Sequence, residues 1–380
     1  MNIMFQVGSW HFDKGGTDLF VKTFAKWLAK QGNKVVVLVH RLEEENCKDE
    51  DISIGKGIVK VRYTPAQKKG VRFNPFIYLY RLAITSYYLY KLAKKEAIDV
   101  VVVGETELLS TLSLKLTKTK IFCRGGALMY ETMAKEVIKE RGKGLYSSLF
   151  IQLIKFYNLF TLKLPDFMVP VNQAEFNFMN KHKRNLAGIE TIPHGVDTNL
   201  FKPIENLNKK LIVGYVGRLA PIKYPEIVLG IFREASKNIK NSEFWWLGPL
   251  DPSFNKDSFN LIKKKLGIVN AKYFGKIPNE KLQNYLIKMS IFLQAEQQKN
   301  VSRSTTEAAS CGLPIVALNE GKEDYGFFTM DKPKAIAELK NLLTNPSYRE
   351  QKSKESREAV LKKYSEDAIY NKFFNLFKQK

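Results

Sequence analysis

Three places in this sequence gather residue types suited to an anionic, hydroxyl-rich ligand. The first is YVGRLAPIK, residues 215–223, where an apolar run ends in Gly217-Arg218 and a short loop carries Lys223. A helical pattern follows, and the N-terminus of a helix offers free backbone N–H groups to an anion. Arg218 adds a planar fork for phosphate oxygens and Lys223 a point charge. The alternative is two surface cations capping a loop. The second place is Ser302 to Ser310, where Glu307 follows a run of small hydroxyl residues. A carboxylate on the first turn of a helix there accepts paired hydrogen bonds from vicinal hydroxyls, as an acid does on ribose in dinucleotide folds. The alternative is compensation of the helix dipole. Ser302, Ser304, Thr305 and Thr306 are small enough for a ligand to approach closely. The third place is Gly15-Gly16, in the loop after the first strand-like run. Glycine lets a phosphate or sugar approach the backbone, although tight turns use Gly-Gly as well.

Other chemistries find no support. Asp49-Glu50-Asp51 spells an acid-x-acid metal motif, but its setting is polar and acid-rich, and it reads as a solvated charge run. The three cysteines (Cys47, Cys123, Cys311) and four histidines are scattered without zinc or catalytic-triad spacing. The expectation is a reduced compartment, no metal and no resident cofactor.

The elements that position these residues follow from periodicity. A chain of 380 residues exceeds one ordinary core, which predicts two domains. Strand-like runs (NIMFQV, KVVVLVH, IDVVVVGE, KIFCRGG, DFMVPVN, ETIPHGV) alternate with helical stretches, the pattern of a doubly wound parallel sheet. RLEEENCKDEDIS reads as an exposed connection, LLSTLSLKLT as a helix, and DTNLFKPIENLNKK as a linker. The alternation restarts at LIVGYVGR and continues through LPIVAL. We expect an α/β chain with one domain at 1–198 and a second at 199–363. A last helix at about 364–380 packs back on the first, and ligands sit in a cleft at the carboxyl ends of the strands.

The net charge of +23 points to nucleic acid, anionic lipid or a phosphorylated substrate, or to a surface that uses Lys by default. Its distribution is uneven. Lys56–Lys95 and Arg141–Pro165 contain no Asp or Glu and are rich in Tyr, Phe and Leu. Basic amphipathic stretches with aromatics suit an anionic membrane interface. Core packing plus ordinary surface Lys is the alternative. No nucleic-acid module is present, so no nucleic-acid partner is expected. The start lacks a signal-peptide pattern, and no run is apolar enough to span a bilayer. The expected place is the cytoplasm, at the inner face of the cell membrane.

Taken in order, FDKGGTDLFVKTFAKWLAKQGNKVVVL, IETIPHGVDTNLFKP, VGYVGRLAPIK, AKYFGKIPNEKLQNYLIKMSIFLQAE with TTEAASCGLPIVA, and VLKKYSEDAIYNKFFNLF resemble retaining glycosyltransferases of family 4 (group 1). These have the GT-B fold, two Rossmann-like domains with an interdomain cleft. The resemblance implies a metal-independent, hexosyltransferase-type enzyme that takes a nucleoside-diphosphate sugar and serves a lipid-linked or surface-polysaccharide acceptor. It assigns Arg218 and Lys223 to the donor diphosphate as the catalytic cations, with Gly217 beside them. It assigns Glu307 to the ribose, Gly15 and Gly16 to the donor phosphates and sugar, and the backbone at Gly275 and Ile277 to the nucleobase. Ser302 completes the donor side, and Arg124-Gly125 stands on the acceptor side. The chain departs from the family pattern at three of these positions. Lys299 replaces a sugar-reading glutamate eight residues before Glu307, with Glu296 nearby. Arg124 takes a position often held by His. Tyr224 follows Lys223 where Gly is usual. A cation cannot accept hydrogen bonds from sugar hydroxyls, so Lys299 points to an unusual, negatively charged donor sugar such as a uronate. The alternative is an inactive GT-B protein that binds nucleotide or glycan.

Overall fold

The computed structural model describes residues 1–8, 10, 16–41, 47–66, 75–125, 138, 144–182, 191–204, 210–255, 257–295 and 301–378. Gly15, Glu296 and Lys299 lie outside them, as do Arg141, Lys143 and part of Lys56–Lys95. The chain divides into two units, Met1–Pro193 with Lys372–Lys380, and His194–Asn371.

The first unit contains β1 (Asn2–Val7), α1 (Gly16–Lys30), β2 (Lys34–Val39), β3 (Glu50–Ile54), β4 (Gly57–Tyr63) and α2 (Pro75–Lys95). It continues with β5 (Val100–Val103), a 3₁₀ segment (Glu105–Leu116), β6 (Lys120–Arg124), α3 (Leu145–Thr161), β7 (Phe167–Val169) and α4 (Gln173–His182). The sheet order is β3-β4-β2-β1-β5-β6-β7, parallel except for β3 on β4. Its central strands are buried on both faces, which is why they read as unbroken apolar runs. Phe373 stacks on Phe24 at 5.3 Å, and Phe377 meets Phe122 edge-on at 5.0 Å, so the chain's last residues help close this core.

The second unit contains β8 (Leu211–Val216), α5 (Pro225–Ala235), β9 (Ser242–Leu247), α6 (Ser258–Lys265), β10 (Ala271–Tyr273), α7 (Asn279–Leu286) and β11 (Ile291–Ala295). It ends with α8 (Arg303–Ser310), β12 (Ile315–Leu318), β13 (Phe327–Thr329), α9 (Lys332–Thr344), α10 (Pro346–Lys363) and α11 (Glu366–Phe377), whose last residues count with the first unit. All six strands are parallel in the order β10-β9-β8-β11-β12-β13. Counted from β8 this is 3-2-1-4-5-6, the dinucleotide-fold order, in which the topological switch point falls between β8 and β11.

The structure corrects three local expectations. Residues 50–54 form an edge strand, not part of an exposed connection, and residues 57–63 pair with it antiparallel. The acids Asp49 and Asp51 remain exposed, as a solvated run would be: Arg62 pairs with Asp51 at 2.7 Å and lies 3.9 Å from Asp49, which also accepts the Tyr63 N–H at 2.9 Å. ETIPHGV gives no strand in its described part, 191–196, but a single bridge from Val196 to Ser365. LLSTLSLKLT lies almost wholly in a 3₁₀ segment and not in an α-helix.

Candidate functional site

The second unit gathers most of the residues expected on the donor side at the carboxyl edge of its sheet. Gly217 follows β8, Gly248 follows β9 and Gly275 lies just past β10, and backbone bonds lace the three together. Gly217 N–H donates to the Leu247 carbonyl at 2.8 Å, and Gly248 N–H to the Gly275 carbonyl at 2.8 Å. Trp246 Nε1 donates to the Gly217 carbonyl at 3.0 Å, and Tyr273 Oη to the Gly248 carbonyl at 2.9 Å. A Cβ on Gly248 would lie 2.0 Å from the Gly217 carbonyl oxygen, so this close approach requires glycine. Ile277 continues beyond Gly275 and packs against the core.

Arg218 leaves this edge with its side chain 57% exposed, and Asp251 Oδ2 lies 3.4 Å from its Nη1. The hydroxyl and N–H of Ser253 bond Asp251 Oδ1 at 2.7 and 3.0 Å. Those bonds, followed by the Arg218 charge, hold the Asp251 carboxyl below its ordinary range. Asp251 is thus an ionised brace that orients a cation without burying it. Lys223 ends a short 3₁₀ turn, Pro221–Lys223. Tyr224 then takes a left-handed conformation, φ 46° and ψ 54°, before α5 begins. That conformation explains why glycine suits this position, and it costs a side chain of order 1 kcal/mol.

Helix α8 begins across the switch point. Ser304 Oγ donates to the Val216 carbonyl at 2.8 Å, tying the helix to the end of β8. Ser302 Oγ sits 2.9 Å from both Ser304 Oγ and Thr305 Oγ1, and accepts from Gln294 Nε2 at 3.1 Å. Thr305 also bonds Gln294, and Thr306 bonds Tyr325 Oη at 3.1 Å. The hydroxyls expected to face a ligand are therefore engaged with one another, with the ends of β8 and β11, and with Tyr325. Glu307 is the fifth residue of α8, in its second turn and not its first, so dipole compensation is not its role. It is 3% exposed and accepts from Arg303 Nε at 3.0 Å. Burial pushes its carboxyl pKa up, Arg303 opposes this, and Glu366 adds to the rise.

Gly16, Arg124 and Gly125 belong to the first unit. Gly16 opens α1. Arg124 ends β6, buried, with its guanidinium carbon 3.6 Å from the centre of the Phe20 ring. Its Nη2 donates to the Pro193 carbonyl at 3.4 Å. Gly125 turns the chain at φ 68°.

Three second-unit residues were not anticipated: Asp251, Gln294 and Asn319. Asn319 stands just past β12, 2% exposed. Its Oδ1 accepts the Gly321 N–H at 2.8 Å, and its Nδ2 has no partner among the described residues. Asx chemistry in ALNEG hints at the turn, but nothing in sequence marks the buried donor. Among the described residues no cluster of His, Cys, Asp and Glu has metal-binding geometry, and no helix is long and apolar enough to cross a membrane.

Comparison with known proteins places this geometry. Residues 197–358 match the family model Glycosyl transferases group 1. The chain is 26% identical over 171 residues to the yeast (Saccharomyces cerevisiae) phosphatidylinositol N-acetylglucosaminyltransferase GPI3 subunit, covering 43% of this chain and 37% of that protein. It is 22% identical over 168 residues to the D-inositol 3-phosphate glycosyltransferase of Segniliparus rotundus, covering 41% and 37%. These matches thus span well under half the length of the curated relatives. Sucrose-phosphate synthase from Thermosynechococcus elongatus shares the whole fold, with a TM-score of 0.76 at 17% identity, covering 100% of this chain and 98% of that one. Anabaena HepE in complex with UDP-glucose does so with a TM-score of 0.70 at 14% identity, covering 100% and 99%. Residues 197–358 are thus similar to the group 1 glycosyltransferases, within a two-unit α/β chain of the GT-B fold.

Proposed function

We propose that this protein transfers a sugar, with retention of configuration, from a nucleoside-diphosphate sugar to a lipid-linked or surface-polysaccharide acceptor. The observation that carries the reading is Arg218 at the end of β8, exposed and braced by Asp251, at the switch point where such sheets take their ligands. Lys223 follows on the next turn. When the bond to the nucleoside diphosphate breaks, negative charge grows on the leaving phosphate. Two fixed cations answer that charge without reorganising. The Gly217, Gly248 and Gly275 edge lets ligand come against backbone, Glu307 receives the ribose hydroxyls, and the Gly275–Ile277 backbone meets the base. Gly16, Arg124 and Gly125 serve the donor sugar and the acceptor from the first unit, and no metal takes part. UDP and UDP-glucose in the HepE structures make a uridine donor the first to test. The lipid-linked acceptor places the protein at the inner face of the cell membrane.

The test is a thermal-shift panel of nucleoside diphosphates on wild-type protein and on Arg218→Ala/Lys223→Ala. A selective shift by one diphosphate, lost in the double variant, supports the assignment, together with a fall in transfer rate of about 10²-fold or more. An unchanged shift in the variant removes both cations from the diphosphate site. Sustained transfer with any donor rejects the inactive-binder alternative.

A further inference from the structure

We propose that helix α3 is a membrane-insertion element, with one face that enters the acyl boundary of an anionic bilayer. The juxtaposition behind this is an exposed apolar stripe in an acid-free, basic stretch. Leu145, Leu149, Leu153, Phe156 and Phe160 are each between 48% and 90% exposed. At 3.6 residues per turn the five fall within an arc of about 80°. The opposite side of the helix, with Ser147 buried and Ile154 and Thr161 at least partly so, faces the protein. With Phe150, Ile151 and Ile154 partly buried on the inner side, the helix carries large apolar side chains on both sides, which a water-facing surface helix does not. Five large side chains on one arc expose a patch of several hundred Å² (order of magnitude), the size that marks an interaction surface.

Charge decides the occupant. The stretch Arg141–Pro165 holds no acid, and Lys155 and Lys163 flank the stripe. The neighbouring 3₁₀ segment adds Leu112 and Leu116, both exposed, and Lys115, which pairs with Asp166 at 2.7 Å. Two copies of this helix laid together would bring like charges into contact. Anionic lipid headgroups instead meet the lysines while the leucines and phenylalanines enter the bilayer. This deepens the reading of a lipid-linked acceptor: it assigns the lipid surface to one helix of the first unit.

The test uses the full chain and sedimentation with vesicles of phosphatidylcholine alone or with phosphatidylglycerol added. Wild-type protein is expected to bind the anionic vesicles preferentially, and less in high salt. Leu149→Ser/Leu153→Ser/Phe156→Ser is expected to bind them about tenfold or more weakly, while keeping its melting temperature and its UDP-induced shift. In a Phe156→Trp variant, the added fluorescence is expected to move to the blue with anionic vesicles. Equal vesicle binding by the triple variant overturns the proposal, as does absence of binding by the wild type. A dimer that the triple substitution converts to monomer, with no vesicle dependence, also overturns it and makes the face a self-association surface. The UDP shift is read separately. In the wild type, absence of vesicle binding with the UDP shift present sinks the membrane element alone, and absence of the UDP shift with vesicle binding present sinks the donor reading alone.

Discussion

Helices α8 and α3 depart from the usual partition of side chains in opposite directions. In α8, Thr305, Thr306, Glu307 and Ser310 are buried, yet each has a partner: Gln294, Tyr325, Arg303 and the Phe201 carbonyl. In α3, five large apolar side chains are exposed on one arc. Burying a polar group is costly unless it is hydrogen-bonded, so α8 is stable only as a complete network. Exposing an apolar group costs folding little, so α3 carries its stripe without compensation inside the chain. The first arrangement makes a rigid, fully bonded helix at the carboxyl edge of the sheet, and the second leaves an apolar area uncovered. The comparison predicts that substitutions in α8 act on stability and ligand together, whereas those in α3 act on binding alone.

The sharpest way to break it is Arg303→Met. The methionine fills similar space but strands Glu307 as a buried, unpaired carboxylate, at a cost of about 3–5 kcal/mol. The melting temperature at pH 8 is expected to fall by roughly 10 °C. The sign with pH follows from linkage. Burial already holds the Glu307 pKa above its unfolded value, and removing Arg303 takes away the main influence opposing that rise. A raised carboxyl pKa means stability is full below the unfolded value and is lost as pH rises through the folded one. The penalty should therefore shrink at pH 5. An equal penalty at both pH values, in parallel thermal scans, would show that Glu307 is not the charge at issue.

Much of this arrangement is legible in the residues themselves, and the rest fails for identifiable reasons. The buried parallel strands LIVGYV, IFLQA and IVAL announce themselves as short apolar runs, and Gly217-Arg218 marks the end of the first. A helix does carry Glu307, as RSTTEAAS, although it begins one turn earlier than expected. Strand β3, EDISI, hides because an edge strand alternates and here carries two acids. Strand β13 has three residues, too few to show a period. The site's supporting shell is the least visible. Asp251 reaches Arg218 from 33 residues away, and Gln294 reaches Thr305 from 11. Such contacts are set by which strand ends the sheet order makes neighbours, and a linear reading cannot supply that order.

A substitution that keeps shape and removes only charge sharpens the α8 side. Glu307→Gln leaves an amide where the carboxylate was, and its NH₂ cannot accept a hydrogen bond. If Glu307 receives ribose hydroxyls, loss of a charge-assisted bond weakens nucleoside-diphosphate binding by about 1.5–3 kcal/mol, roughly 10- to 100-fold. Titration calorimetry with UDP and 2′-deoxy-UDP separates this from general damage. The wild type should discriminate between the two, and the variant should discriminate less. Equal affinity of the wild type for both ligands would remove the ribose role and leave Glu307 as a structural partner of Arg303.

The smallest expected effect is the one on which the α3 side depends. Leu153→Ser removes an exposed apolar side chain that leaves no cavity behind, because solvent already occupies its outer side. Surface substitutions of this kind stay within about 0.5 kcal/mol, so the melting temperature should move by no more than about 2 °C. Serine also lowers helix propensity by a few tenths of a kcal/mol, so a small fall is the direction to expect. Leu→Ala at a buried site costs about 2–5 kcal/mol, several times more than this reading allows. Differential scanning calorimetry on Leu153→Ser without vesicles decides the matter. A fall of 5 °C or more (taken roughly from the same scaling) would mean that the stripe is covered in the free chain. Helix α3 would then join α8 as an element whose side chains are all engaged, and the opposition between the two helices would disappear.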